Sequence, residues 1–513
     1  MEFIKLLASL FLVSVPFAIS VSISSEIFSQ CMIEKSSYYT KISDQNIHTS
    51  NSSLWLNSTS KPLLLVTPFH ESEIQATVLC SRKLGLQVRV KSGRHDYEGL
   101  SYLCKTPFII IDLFDLRYIE VNLADETAWV QSGATLGELY YSIAKKSGVH
   151  GFPGGLCPTV GIGGHLSGGG FGTLIRKHGL AADNVIDARF IDVNGRILDR
   201  TMGEDLFWAI RGGGGSSFGV IVSWKIKLVQ VPKIVTGFTV HKTLATRAGS
   251  LVHRWQYIAD KFHEDLFIRV INQYVGIGNQ KTVQASFQSL FLGGIDRLMP
   301  LMKLGLQAKD CIEMSWIQSA QYFAGFQIGQ PSDVLLSKNP LWKMNFKTKS
   351  DFVKYPIPKP GLQGIWEGFR QEQNVYMILD PYGGRMNEIS QYETPFPHRK
   401  GNLFNMQYIV KWDGSRVEET NKHINWMRML YIFMGPYVSR SPRGAYINYK
   451  DLDLGANKED NTSYVEASAW GTRYFKGNFK RLAQVKSKVD PDNFFRNEQS
   501  IPPLPSLFAI TVV

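Results

Sequence analysis

The sequence predicts a mixed α and β protein built as an α/β region followed by an α+β domain. Three observations predict it. Strand-like and helix-like pieces alternate from Lys61 onward, two glycine tracts sit among them, and the pattern changes after Val231-Pro232. In order, Leu63 to Val66 reads as a strand, Glu71 to Leu84 as a helix, and Gln87 to Lys91 and Phe108 to Asp112 as further short apolar strands. Thr135 to Lys146 reads as a helix, and Val220 to Leu228 as a strand behind the second glycine tract. Residues 233 to about 440 alternate aromatic-rich strands, such as Phe267 to Tyr274 and Thr282 to Phe291, with amphipathic helices at Ile312 to Phe323 and Asn421 to Phe433. The last seventy or so residues close in Asp490-Pro491-Asp492-Asn493-Phe494-Phe495 and Ile501-Pro502-Pro503-Leu504-Pro505, an extended polar and proline-rich segment. No internal repeat is visible.

Composition excludes several classes. The chain has 513 residues, of which 44% are hydrophobic and 19% charged, so it is neither disordered nor a fibre or coiled coil. Its 56 Lys and Arg exceed its 44 Asp and Glu by 12. The basic residues are scattered rather than gathered in one stripe, which argues against a nucleic-acid partner. Residues 1–21 have the form of a secretory signal peptide: Lys5, an apolar run from Leu6 to Val15, and small residues around Ala18-Ile19-Ser20. A membrane anchor fits less well, because the run is short and meets Pro16. Asn51, Asn57 and Asn461 stand in Asn-x-Ser/Thr acceptors for glycosylation. Export to the cell exterior (apoplast) or a vacuole is expected, with no membrane span in the mature chain, which is expected to act as a monomer. In an oxidising compartment five cysteines leave one odd. Cys31 and Cys80, near the start of the mature chain and flanked by helix-like sequence, are the expected disulfide; Cys157, in a glycine-rich turn, is the odd one.

The chemistry concentrates in the glycine tracts. Residues 151–172 (GFPGGLCPTVGIGGHLSGGGFG) hold ten glycines and residues 212–219 (GGGGSSFG) hold five. Such density lets backbone amides close around a pyrophosphate, because no side chain blocks the approach. Neither tract spells a Rossmann or P-loop motif. Gly215-Ser216-Ser217-Phe218-Gly219 formally matches a nucleophile elbow, but a four-glycine run supplies its first Gly and no strongly apolar strand leads into the serine. Metal-binding spacings are missing, so no metal is expected. His95 lies in a glycine-bounded loop, Ser92-Gly93-Arg94-His95-Asp96-Tyr97-Glu98-Gly99, where the residue alone reads as loop surface or as ligand.

Taken together, SGRHDYEGLSY (92–102), CPTVGIGGHLSGGGFG (157–172), GLAADNVIDA (179–188), GEDLFWAIRGGGG (203–215), AYINYKDLDLG (445–455) and VDPDNFFRNEQSIPPLP (489–505) resemble the berberine bridge enzyme-like flavoproteins of plants. The resemblance spans essentially the whole mature chain. It implies an α+β fold: a vanillyl-alcohol oxidase type FAD-binding domain of two α/β subdomains, over residues 22–232 and a returning C-terminal segment 441–513, and an α+β substrate domain with an antiparallel sheet, over 233–440. It implies that His95 and Cys157 both bond the flavin, at the 8α-methyl group and ring carbon six, so that FAD is bicovalent. It further places Ser92, Gly93, Arg94, Asp96, Ser101, Gly155, Thr159, Val160, Gly161, Gly163, Gly164, His165, Gly168, Gly169, Gly172, Val220, Asn448 and Tyr449 at the cofactor. Tyr449 matches the tyrosine that serves several members as catalytic base, and Val160 the position that gates oxygen, its small side chain resembling the oxygen-reactive members. Gln407 keeps a common family identity.

There are departures. Arg94 stands where many relatives have Gly, Phe171 where they have Tyr, and Asn405 where they have Lys or Glu. The last two remove a phenol and a charge that would tune the base. The resemblance therefore implies one of two activities. One is an oxidase, in which a phenolic or prenylated aromatic substrate gives a hydride to the flavin and O2 is the acceptor. The other is a redox-neutral Diels-Alderase joining a diene to a chalcone-type dienophile, for which Arg443 would be the carbonyl donor unless it is spent in a surface salt bridge. A noncatalytic binding protein on the same fold is a third class.

Overall fold

The computed structural model describes residues 25–36, 41–43, 61–276, 281–302, 307–338, 344–372, 374–414, 416–458 and 463–505. The signal-peptide reading and the acceptors Asn51, Asn57 and Asn461 lie outside the described residues. Three sheets organise the chain. The first runs in the order Lys41–Ser43, Leu64–Thr67, Phe108–Asp112, Gln87–Lys91, with its last three strands parallel. Helix Glu71–Lys83 makes the crossover between the parallel strands Leu64–Thr67 and Gln87–Lys91, which flank Phe108–Asp112. Its first turn is satisfied by Glu73, whose carboxylate accepts from the backbone N–H of Phe69 and His70 at 2.6 and 2.8 Å. Cys80 on this helix is joined to Cys31, on the helix over residues 25–35, in the expected disulfide.

The second sheet is antiparallel, in the order Ile119–Asn122, Thr127–Gln131, Val220–Lys227, Val185–Ile191, Ile197–Leu198. Helix Leu136–Lys146 leaves it through a capping box, Glu138 accepting from the Thr135 backbone N–H at 2.9 Å. The third sheet has seven antiparallel strands in the order Cys311–Met314, Val235–Thr243, Thr282–Phe291, Leu266–Val275, Val375–Pro381, Phe404–Trp412, Asn345–Val353. Helices Ala248–Trp255, Lys359–Gln371 and Val417–Met434 cover one of its faces, packing Val252, Ile365 and Met427 against Phe404, Met406, Tyr408 and Val410. Side chains alternate along a strand, so Asn405, Gln407, Ile409 and Lys411 face the other way.

One expected element divides. The run from Ile312 to Phe323, expected as a helix, begins as strand Cys311–Met314 paired to Val235–Thr243 and becomes helix only at Trp316–Phe323. The break falls at Ser315, which caps the helix: the Gln318 side chain accepts from its N–H at 2.9 Å. An edge strand and a helix start share one apolar run, and helical periodicity alone does not separate them.

The C-terminal helices Tyr464–Phe475 and Asn478–Val489 return to the first part of the chain. Their Trp470, Phe475, Phe479 and Leu482 join one core with Trp224 and Phe207, while Phe494 and Phe495 pack with Ile74, Val78 and Val88. Lys486 pins the return. Its fully buried ammonium donates to the Ser217 carbonyl at 2.6 Å, to Asp490 at 2.6 Å and to the Phe495 carbonyl at 2.7 Å. Burial draws its pKa down to about 8, against the pull of Asp490. Replacing Lys486 with Met leaves the buried Asp490 carboxylate without its cation, held only by the Phe494 and Phe495 N–H groups, so the expected cost is about 3–5 kcal/mol of stability, measurable as a fall in the denaturant midpoint.

Candidate active site

Between the glycine tracts and the uncovered face of the seven-stranded sheet lies a cavity of about 1100 Å³. The first wall is made of backbone. Loop Ser92–Asp96 follows strand Gln87–Lys91 and touches the turn at Gly161 so closely that a Cβ on Gly93 would stand 2.2 Å from the Gly161 nitrogen, and one on Gly161 would stand 2.1 Å from Ser92 Oγ. Only two glycines permit that contact. It brings His95 beside Cys157 and Thr159: the Thr159 hydroxyl lies 2.8 Å from His95 Nε2 and 3.4 Å from Cys157 Sγ. Cys157 is a free thiol, but so are Cys104 and Cys311, so it is not the single odd cysteine the sequence led one to expect. Burial, and then the Arg94 charge, lower the His95 pKa to about 4, so its ring is neutral at neutral pH. Arg94 itself has φ 62°, a left-handed conformation that glycine adopts more easily than arginine.

The tract continues into helix Ile162–Ser167, where a Cβ on Gly164 would meet open space. The Gly155 N–H donates to His165 Nε2 at 3.0 Å, and burial brings the His165 pKa to about 4. The C-terminal segment holds the tract from behind. Asn448 Nδ2 donates to the His165 carbonyl and to Tyr446 Oη, each at 2.9 Å, and Tyr446 Oη accepts from the Gly170 N–H at 2.8 Å. A Cβ on Gly168 would stand 2.0 Å from Asn448 Oδ1.

Aromatic and then charged side chains complete the lining. Tyr449 stacks on Tyr97 with centroids 5.7 Å apart and planes 13° from parallel, and meets the edges of Tyr446 and Phe171 at 4.9 and 6.3 Å. Gln407 Nε2 donates to Tyr97 Oη at 2.9 Å. Burial first, then the neighbouring Tyr97, Asp380 and Tyr446, push the Tyr449 phenol well above its ordinary value, Arg269 opposing weakly. The lowered pKa that a tyrosine base needs is not what this environment produces. Above the ring, Arg269 and Asp380 project from adjacent strands as a buried ion pair at 2.9 Å, both lining the cavity. Arg269 Nε and Asp380 Oδ1 are close but too poorly aligned to hydrogen-bond. At the rim, Lys411 lies over the Tyr376 ring at 4.6 Å, and burial lowers its pKa to about 8.

Most of the expected site residues line this cavity: Ser92, Gly93, Arg94, His95, Asp96, Ser101, Gly155, Cys157, Thr159, Val160, Gly161, Gly163, Gly164, His165, Gly168, Gly172, Gln407, Asn448 and Tyr449. Three do not. Gly169 makes a turn behind the wall at φ 113°, and Val220 points into the core while Gly219 and Ile221 face the cavity. Arg443 is the larger correction. Its guanidinium grips Asp351 through two bonds of 2.7 and 2.6 Å and lies 3.4 Å over the Tyr431 ring, on the helix-covered side of the sheet. It cannot polarise a substrate in the cavity. Asn405 also stands back from the lining, its amide donating to the Asp351 carbonyl at 3.2 Å. The Arg269–Asp380 pair was missed by sequence reasoning; a charge in the middle of an aromatic strand is the signal that could have raised it.

Residues 62–201 match the family model described as "FAD binding domain", and residues 445–502 that described as "Berberine and berberine like". Berberine bridge enzyme-like 22 of Arabidopsis thaliana is 57% identical over 477 residues, covering 90% of each chain. The chain belongs to the berberine bridge enzyme-like family. Tetrahydroberberine oxidase of Berberis wilsoniae is 54% identical over 461 residues, covering 88% of this chain and 87% of that one. Among solved structures, berberine bridge enzyme-like 28 of Arabidopsis thaliana superposes with a TM-score of 0.87 at 46% identity, covering 94% of this chain and all of that one. A grass pollen allergen with glucose dehydrogenase activity gives 0.87 at 42%, covering 93% and 99%. An isoleucine-to-valine variant of that allergen, described as a glucose oxidase, gives 0.88 at 42%, covering 93% and 100%. The chain is thus an FAD-linked oxidoreductase of this family, and the fit is physical: the cradle consists of bare glycine backbone with two nucleophilic side chains at one end. The Cys31–Cys80 bridge and these relatives suggest the secretory pathway. Among the described residues no helix is long and apolar enough to cross a membrane, and no cluster of side chains could hold a metal ion.

Because His165 accepts a hydrogen bond while neutral and its folded-state pKa lies below the ordinary 6.5, the unfolded chain binds more protons between about pH 6.5 and 4. Stability is expected to fall as pH drops through that window. Thermal unfolding of His165→Gln should show a shallower fall there than the native protein.

Proposed function

We propose that this protein is an exported FAD-dependent oxidase of small aromatic alcohols or phenols, including prenylated ones, with the flavin held through both His95 and Cys157 and dioxygen as electron acceptor. The observation that carries the reading is the meeting of His95 and Cys157 at Thr159, at one end of a glycine cradle and in the same cavity as the Tyr97–Tyr449 stack. Bound flavin supplies a two-electron acceptor that dioxygen can reoxidise.

This chain's residues then bind, orient and deprotonate. Tyr97, Tyr449 and Phe171 offer ring faces and edges for an aromatic substrate. Tyr449, its phenol kept neutral by burial, donates a hydrogen bond to the substrate hydroxyl rather than taking its proton. The proton acceptor is Asp380, whose carboxylate Arg269 stabilises against the burial that otherwise raises its pKa. Val160 supports dioxygen as acceptor: it stands at the position the family resemblance identifies as the oxygen gate, and the related allergen described as a dehydrogenase is described as an oxidase after one Ile-to-Val change. The cyclase reading rests on Phe171 and Asn405 in place of base-tuning groups and on Arg443 as carbonyl donor, and of these supports Arg443 is held by Asp351. Export would carry the protein to the apoplast or a vacuole.

The deciding experiment mixes the yellow protein anaerobically with a panel: a cinnamyl alcohol bearing a ring hydroxyl, a prenylated phenol, tetrahydroberberine and glucose. Bleaching by a phenolic member, and hydrogen peroxide on admitting air, are expected. Product formed while the flavin stays oxidised would overturn the oxidase. With the bleaching substrate, Asp380→Asn should lower kcat about 10²–10⁴-fold, whereas Tyr449→Phe, losing one hydrogen bond, should cost roughly tenfold. Val160→Leu should slow peroxide-forming turnover at least about tenfold and leave turnover with a dye acceptor close to native.

A further inference from the structure

We propose that the Thr159 hydroxyl is a positioning residue for flavin attachment, setting the proton arrangement of His95 and Cys157 together so that both become nucleophiles in the same state. The inference rests on the reading of these two side chains as the tethers. Thr159 is 8% exposed, and its Oγ1 is the only atom among the described residues recorded within hydrogen-bond distance of both His95 and Cys157. The turn that carries it is fixed on both sides: the Val160 N–H donates to the Cys157 carbonyl at 3.2 Å, and the Thr159 carbonyl lies 3.0 Å from where a Gly93 Cβ would be. Thr159 thus meets the His95 ring through its backbone as well as its hydroxyl.

A hydroxyl carries one proton and can accept from two directions. A neutral imidazole has one N–H and one lone pair, and the low pKa of His95 keeps its ring neutral. Two arrangements place the hydroxyl's single proton between the two side chains; in a third, Nε2–H and Sγ–H both donate to Oγ1, which leaves Nδ1 nucleophilic but the sulfur a thiol. In the first, His95 Nε2–H donates to Oγ1 and Oγ1–H points at Cys157 Sγ. The remaining ring nitrogen, Nδ1, then bears its lone pair, and the sulfur receives a hydrogen bond that favours thiolate. In the second, Sγ–H donates to Oγ1 and Oγ1–H to Nε2; Nδ1 is then protonated, the sulfur is a thiol, and neither attacks. One rotor thus couples two nucleophiles 62 positions apart, from 95 to 157. Each attachment forms one C–N or C–S bond. It releases one proton from the nucleophile and one from the ring system and leaves two electrons on the flavin, which dioxygen removes as hydrogen peroxide.

The test is Thr159→Val, which keeps the shape and removes the hydroxyl, beside Thr159→Ser, which keeps the hydroxyl, with His95→Ala and Cys157→Ala as single-tether references. Purified proteins are analysed by intact mass and by flavin retained after acid precipitation, alongside total flavin and thermal midpoint before precipitation. In Thr159→Val, both attachments are expected to fall about tenfold or more, with total flavin and thermal midpoint near native, and Thr159→Ser is expected to retain both. Native-like retention in Thr159→Val, or loss confined to one tether, would overturn the shared role. If Thr159→Val lacks total flavin or has a lowered midpoint, Thr159→Ser decides: attachments lost there as well, with flavin still bound, would overturn the role, and attachments kept would support it. A native protein that releases all its flavin on acid treatment would overturn the tether reading beneath it, a result seen before any variant is compared.

Discussion

The site depends on one contact between two pieces of backbone. Gly93 and Gly161 meet where no side chain fits, and a methyl group on either would overlap the other segment by more than an ångström relative to ordinary contact. Everything chemical on the first wall hangs from this crossing: His95 two residues along one strand, Thr159 and Cys157 two and four residues back along the other. Loops usually hold their residues loosely. Here the crossing, the Asn448 amide on the His165 carbonyl and the Tyr446 phenol on Gly170 replace that looseness with fixed backbone bonds.

The two walls must also be kept in register, and charge does this. Glu98, three residues after His95, pairs with Lys347 of the seven-stranded sheet at 2.5 Å; Lys347 reaches Asp451 at 2.9 Å, and Lys349 binds Asp451 and Asp453, each at 2.7 Å. The Leu452 N–H donates to Glu98 at 3.1 Å. Loop, sheet and C-terminal segment are thereby tied at one buried point directly behind Tyr97 and Tyr449, whose stack faces the cavity. Such a network contributes little net stability after desolvation, but it disfavours other arrangements of the three pieces. Lys486 does the same farther back, where the second glycine tract meets the tail.

Much of this was legible in the sequence because it is local. The glycine tracts, the His95 loop, the bridge between two cysteine-bearing helices and strands such as Thr282–Phe291 are all written in short runs of neighbouring residues. What was not legible depends on pairing across strands far apart in the chain. Arg443 looked available because its partner Asp351 stands 92 residues upstream. Arg269 and Asp380 stand 111 residues apart, and only register places their strands side by side. The division of Ile312–Phe323 into strand and helix was hidden because its edge strand needs Val235–Thr243 as a template.

The alternation along Phe404–Trp412 bears on how such a protein diversifies. Phe404, Met406, Tyr408 and Val410 belong to the core under the helices, while Gln407, Ile409 and Lys411 face the cavity. A mutation at one of the odd positions alters what the pocket accepts without creating a void beneath the helices, and a mutation at an even position does the reverse. Heritable variation in substrate preference and in folding robustness is thus partitioned by the pleat of a single strand, so a lineage carrying this sheet can explore new chemistry at three neighbouring sites with little penalty to its scaffold.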